Sequence, residues 1–205
     1  MRARAVAPHA ALLGAGLVFN TQAASAFERP QAYNVRTWEA REGVPQSSVT
    51  GLARGSDGTI WFTTFGGLGR FDGKHAEPIA IPPELVIELS SLTGVVEEPG
   101  PSPRIWISAV ENGLWTWDGQ AFTRPEQPDR LASASAYHMD WTGGRLFVSS
   151  NDGGFVRQLD GSWTLLSEDT VFDLDGTPDG GAWGCVEGDH LVRYAPDGEE
   201  TLRLE

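Results

Sequence analysis

Little in this sequence could staple or anchor the chain. Of 205 residues only Cys185 is a cysteine, so no intramolecular disulfide and no cysteine-type zinc cluster can form. Stability must then come from packing, which excludes the small disulfide-scaffold class, and Cys185 is expected to be a small buried residue on a strand. No apolar run reaches the roughly 20 residues that span a bilayer. Basic residues are scarce too: 15 Lys and Arg stand against 28 Asp and Glu, a net charge of −13. Such a surface repels phosphate backbones, so nucleic acid is not an expected partner. Beyond residue 26 no long helical period is found. The apolar residues come in short runs bounded by Gly, Asp and Pro, the pattern of short strands joined by tight turns.

The first 26 residues read as an export signal. Arg2 and Arg4 form a positive n-region, residues 10–19 an apolar h-region, and Ala24-Ser25-Ala26 fits the small-x-small cleavage rule. Cleavage is expected between Ala26 and Phe27, leaving residues 27–205 as an exported, periplasmic protein without stable membrane insertion.

The remaining chain is rich in what an all-β protein uses: 8 Trp and 9 Phe for strands, 25 Gly for turns. Its runs align on one another. Residues 49–73 hold a strand, an Asp57-Gly58 turn, the strand 60–64, a Gly66-Gly67 turn, the strand 68–71 and an Asp72-Gly73 turn. The same order recurs at residues 104–119, 145–161 and 179–198. The central aromatic is Trp61, Trp106, Phe147 and Trp183, and the closing turn begins at Asp72, Asp118, Asp160 and Asp197. Asp-Gly and Gly-Gly pairs suit hairpin turns because they accept positive φ, so each unit is an antiparallel meander. A period near 40 residues is that of a four-stranded β-propeller blade. The fold expected is an all-β propeller of about four four-stranded antiparallel blades, near residues 49–81, 92–124, 136–167 and 170–205. Residues 33–38 are expected to be an outer closing strand.

Trp38, Gly43-Val-Pro-Gln-Ser-Ser-Val49, Asp57-Gly58, Ile60-Trp61, Thr64, Gly67-Leu68 and Arg70-Phe-Asp-Gly73 together resemble the two-component regulator propeller repeat. That family forms the periplasmic sensor region of many hybrid histidine kinases and some diguanylate cyclases. The resemblance covers most of residues 33–205 and weakens along the chain: Ala109 stands where Thr would be, and Phe155 replaces the Gly-Leu leucine. It implies a non-catalytic ligand-sensing or interaction module. A propeller must close to remove its sheet edges. Residues 200–204 already offer repeat four an outer strand, so 33–38 has no clear blade to complete. The chain is then an incomplete part of a longer propeller, or four blades close alone. No kinase or cyclase signature accompanies the repeats.

Chemistry is sparse. His75, His138 and His190 form no recognisable ligand spacing, so no catalytic, cofactor-binding or metal-ligating residue is assigned. Asp189 and His190 are neighbours, but adjacent strand residues point to opposite faces. Asp152-Gly153-Gly154 and Asp175-Gly176 lack the alternating acids of a calcium loop. Trp115, Trp117, Trp141 and Trp163 could form an aromatic ladder for a sugar or pack between blades. The partner expected is a small ligand, a carbohydrate among the candidates, at the channel mouth, or another protein chain. The alternative function is a propeller enzyme, lyase- or hydrolase-like, acting on a small extracellular substrate.

Overall fold

The computed structural model describes residues 35–204; the export signal and its cleavage point lie outside this range. Sixteen strands form four separate antiparallel sheets, each with its strands in sequence order. Blade 1 holds β1 (Val49–Arg54), β2 (Ile60–Thr64), β3 (Gly67–Phe71) and β4 (Ala76–Pro78). Blade 2 holds β5 (Leu92–Glu98), β6 (Arg104–Ala109), β7 (Gly113–Trp117) and β8 (Phe122–Thr123). Blade 3 holds β9 (Ala136–Thr142), β10 (Arg145–Ser150), β11 (Gly153–Arg157) and β12 (Trp163–Ser167). Blade 4 holds β13 (Val171–Gly176), β14 (Ala182–Val186), β15 (His190–Tyr194) and β16 (Glu200–Leu204). The fold is a β-propeller arc of four blades.

Each blade's first strand lies innermost, so β1, β5, β9 and β13 stand side by side, and consecutive members pack on one another. Each second strand is buried because its two faces serve two interfaces. In β2, Trp61 and Thr63 face blade 2; in β6, Ile105 and Ile107 face back toward blade 1. Trp61 and Leu68 thus pack with Leu92, Val95, Ile105 and Ile107. Trp106 and Leu114 pack with Ala136, Met139, Leu146 and Val148 in the second interface, and Phe147 and Val156 with Val171, Leu174, Ala182 and Val192 in the third. Burying one such aromatic contributes roughly 2–3 kcal/mol, which makes these aromatics the main adhesive between sheets that share no ladder bonds. Hydroxyls add polar links: Thr50 Oγ1 donates to the Leu92 carbonyl at 2.7 Å and Thr93 Oγ1 to that of Ala136 at 2.5 Å.

Two expectations are corrected. Within the expected closing strand 33–38, the described residues 35–38 belong to no sheet. Trp38 stands edge-on to Phe71 at 4.9 Å and donates its indole N–H to the Lys74 carbonyl, helping to cover Phe62, Val44 and Ala76 on blade 1. The outer place on blade 4 is held by β16. Cys185 is exposed, not buried. It shares the face of β14 that, in blades 1 to 3, a following blade covers.

Candidate functional site

The inner strands carry the same register irregularity: each has one extra residue near its start, at Thr50, Thr93, Tyr137 and Phe172. In blades 1 and 2 that residue is a threonine that hydrogen-bonds the next blade. In blades 3 and 4 it is an aromatic instead. The Tyr137 and Phe172 rings lie nearly parallel, 12° apart with centroids at 6.5 Å, and both are exposed.

The following position departs in the same blades. Gly51 and Gly94 leave no room for a side chain, since a Cβ on Gly51 would approach Thr63 and the Gly94 backbone. His138 and Asp173 hold the corresponding places, and Asp175 lies two residues on. His138 sits between the two carboxylates, Nδ1 at 3.8 Å from Asp173 Oδ1 and Nε2 at 3.7 Å from Asp175 Oδ1. Its backbone N–H donates to Ser149 Oγ at 3.0 Å, which fixes the main chain beneath the ring.

A cavity of about 550 Å³ opens beside this cluster, lined by the inner strands of all four blades. Leu52, Val95 and Met139 supply apolar wall; Arg54, Glu97, His138, Asp140 and Asp175 supply polar groups. Two of the carboxylates are occupied by backbone of a neighbouring blade. Glu97 accepts from Ser56 N at 2.8 Å, and Asp140 from Gly176 N at 2.8 Å and Thr142 Oγ1 at 2.9 Å. Asp173 and Asp175 are exposed beside His138, so the blade 3 and blade 4 side of the cavity has polar atoms to offer a ligand. One ligand atom from each of His138, Asp173 and Asp175 lies within 4.8 Å of the others. Imidazole with two carboxylates is a donor set for a divalent transition metal, and the same groups can bond hydroxyls or a cationic ligand.

The other sequence candidates are placed elsewhere. His190 is in β15, and Asp189 precedes it in a turn at φ 63°; its ring Nδ1 is buried without a hydrogen-bond partner, so the two do not cooperate. Asp152 pairs with Arg130 at 2.8 Å. His75 lies 3.4 Å from Asp72 at an exposed turn. The tryptophan ladder is absent. Trp115 is buried, Trp117 tilts against Trp61 at 5.4 Å, and Trp141 and Trp163 pack half-buried on the core between blades 2 and 3. Spacing could not reveal His138 with Asp173 and Asp175, because they meet only across two blades. The repeat alignment holds the available signal, with His138 and Asp173 standing where the first two repeats have glycine.

No protein-family model matches the sequence, and no curated protein sequence matches it. Solved structures do. The chain is similar to the extracellular domain of BT3049 from B. thetaiotaomicron, named as a hybrid two component system, at 14% identity over 77% of this chain and 22% of that one, TM-score 0.58. It is similar to virginiamycin B lyase from Staphylococcus aureus at 19% identity over 79% of this chain and 57% of that one, TM-score 0.62. PorZ, a surface component of the type-IX secretion system of Porphyromonas gingivalis, matches at 15% identity over 85% of this chain and 30% of that one, TM-score 0.59. The chain spans less than two thirds of each, and the likeness is one of fold. The propeller repeat legible in the sequence therefore has its structural counterpart in the extracellular regions of two-component systems.

Proposed function

We propose that this chain is a non-catalytic, ligand-sensing propeller module of the bacterial periplasm, and that it binds a small polyhydroxylated ligand of carbohydrate type. The observation that carries this reading is the placement of Tyr137, Phe172, His138, Asp173 and Asp175. Their side chains are exposed on adjoining inner strands beside a cavity; the first four stand where the first two repeats keep only threonine and glycine, and Asp175 where they have Ala53 and Val96. Aromatic faces stack on sugar rings, and carboxylates with an imidazole accept and donate to hydroxyls. The export signal read from residues 1–26 and the similarity to extracellular sensor domains support the placement and the sensing role.

Titration calorimetry against a panel of mono- and oligosaccharides tests it. At least one class should bind, and Phe172→Ala and Asp173→Asn should each weaken that binding tenfold or more. A panel without binders, or binding indifferent to both substitutions, rejects the reading.

A second reading, an enzyme acting on a small extracellular substrate, is favoured by one feature: His138 between two carboxylates has the arrangement of an oriented general base. It requires that any turnover found be abolished by His138→Ala; turnover that survives removes it.

A further inference from the structure

We infer that two copies of this chain join head to tail, the fourth blade of each packing on the first blade of the other, to close a ring of eight blades. The argument rests on the repeat register. Each internal interface brings together two faces. The forward face of a blade carries the central aromatic, a small residue two positions on, and a residue paired across the sheet. These are Trp61, Thr63 and Leu68 in blade 1 and Trp106, Ser108 and Leu114 in blade 2, all buried. The rear face of the next blade brings an inner-strand pair three residues apart: Leu92 and Val95, Ala136 and Met139, Val171 and Leu174. All six are 6% exposed or less.

The two ends of the arc expose these same positions. On the forward face of blade 4, Trp183 is half-buried, Cys185 is exposed, and Leu191, which pairs with Cys185, is exposed together with Leu202 and Leu204 on β16. On the rear face of blade 1, the inner-strand pair is Val49 and Leu52, at 49% and 68% exposure. Among the described residues one copy does not cover these faces itself, because β1 and β13 lack the packing that joins β1 to β5, β5 to β9 and β9 to β13. A second copy presents both missing halves at once.

Charge agrees with the pairing. Glu97 on the rear of blade 2 reaches the preceding blade's turn to accept from Ser56 N. Arg54 holds the equivalent place on blade 1. The turn that it would meet on blade 4, residues 177–180, closes with the same backbone bonds as residues 55–58 and carries exposed Asp179, whose carboxylate accepts from Arg193 Nη2 at 2.6 and 2.7 Å and would be shared with Arg54. Two equal interfaces related by a two-fold axis close the assembly, and eight blades fall within the propeller range of roughly four to eight.

Light scattering on the full chain under reducing conditions should give twice the single-chain mass. Leu52→Asp and Leu191→Asp should each halve it without changing the circular dichroism spectrum, since both side chains are exposed within one copy. A cross-link checks the register. Ser108 and Ala136, the internal counterparts of Cys185 and Val49, are bridged by Thr93 Oγ1 at 2.9 and 2.5 Å. Val49→Cys should therefore give a disulfide-linked dimer with native Cys185 on mild oxidation, and lose it in the Cys185→Ser background. A single-chain mass at tens of micromolar, an open series of larger oligomers, or a doubled mass that survives both aspartate variants overturns the proposal.

Discussion

Residue roles in this protein separate into turn makers and wedge fillers, and both show in measurable ways. Asp72 accepts from the backbone N–H groups of His75 and Lys74, each at 2.7 Å, which lowers its carboxyl pKa to about 2. Asp118 is lowered in the same manner by the N–H groups of Ala121 and Gln120. A carboxylate depressed by folding stabilises the fold above its unfolded pKa, and that contribution disappears as pH falls through the folded value. Asp72→Asn should therefore lower the melting temperature near neutral pH, and its gap from the parent should close between about pH 4 and pH 2. A gap independent of pH would show that the N–H bonds are not what holds the turn. Among the wedges, Trp106 is buried and donates its indole N–H to Glu98 Oε2 at 2.8 Å, whereas its counterpart Trp183 is only half-buried. In chemical denaturation Trp106→Ala should cost about 3–5 kcal/mol. In the Leu52→Asp background, which holds the chain as a single copy, Trp183→Ala should cost clearly less, and equal costs there would mean that blade 4 is covered within one copy as the others are. The aromatic and aspartate series was legible in the sequence because each recurs at the same place in its repeat. The difference between Trp106 and Trp183 was not, because it depends on the following blade.

At the scale of the element, drift of the repeat motif follows turn length. Thr64 and Ser150 end their second strands before two-residue turns, where the hydroxyl donates to the Gly67 or Gly153 carbonyl and accepts from Gly66 N or Asp152 N. Ala109 and Val186 end theirs before three-residue turns, pairing with Gly113 and His190. The hydroxyl is kept where the short turn has an N–H for it to accept from and is absent before the longer turns. The N–H just after the second strand bonds the segment before the inner strand in both kinds of turn, Asn151 N to the Ser135 carbonyl, Val110 N to that of Ser91 and Glu187 N to that of Thr170. Thr64→Ala removes the hydroxyl partner of the buried Gly67 carbonyl and of the Gly66 N–H and should cost about 1–3 kcal/mol. Ala109→Thr should bring no gain by the same denaturant measurement, and a stabilisation there would contradict the turn-length explanation. Gly43 shows a second local constraint: its φ is +95°, and a side chain there would collide with the Ala76 carbonyl. Strand bounds and turn chemistry could be read in advance because hairpins are local. The register irregularity that presents Tyr137 and Phe172 could not, since it appears only once the strands are paired.

For the whole molecule, the arrangement of faces decides both the site and the assembly. Cys185 was expected inside because its strand is apolar, and it is outside because no blade lies in front of β14 among the described residues. Cys185→Ser should then leave the unfolding free energy of a single copy within about 0.5 kcal/mol, as at an exposed position. The cavity follows from the same geometry. Four inner strands approach one another without pairing and leave about 550 Å³ between them, walled by residues 52–54, 95–97, 138–141 and 175.

The sequence by itself determined the repeat, the all-β class, the number of blades and the turn residues, because strand alternation and hairpin chemistry act over a few residues at a time. That the second-strand aromatics fill the wedges between blades was also legible; only the tertiary structure decided that Trp183, unlike Trp61 and Trp106, is left half-buried. It also decided that His138 meets Asp173 and Asp175 from separate blades and that both ends of the arc leave interface positions open. These contacts form between sheets that share no strand pairing, so their partners are set by how the blades stack and not by distance along the chain.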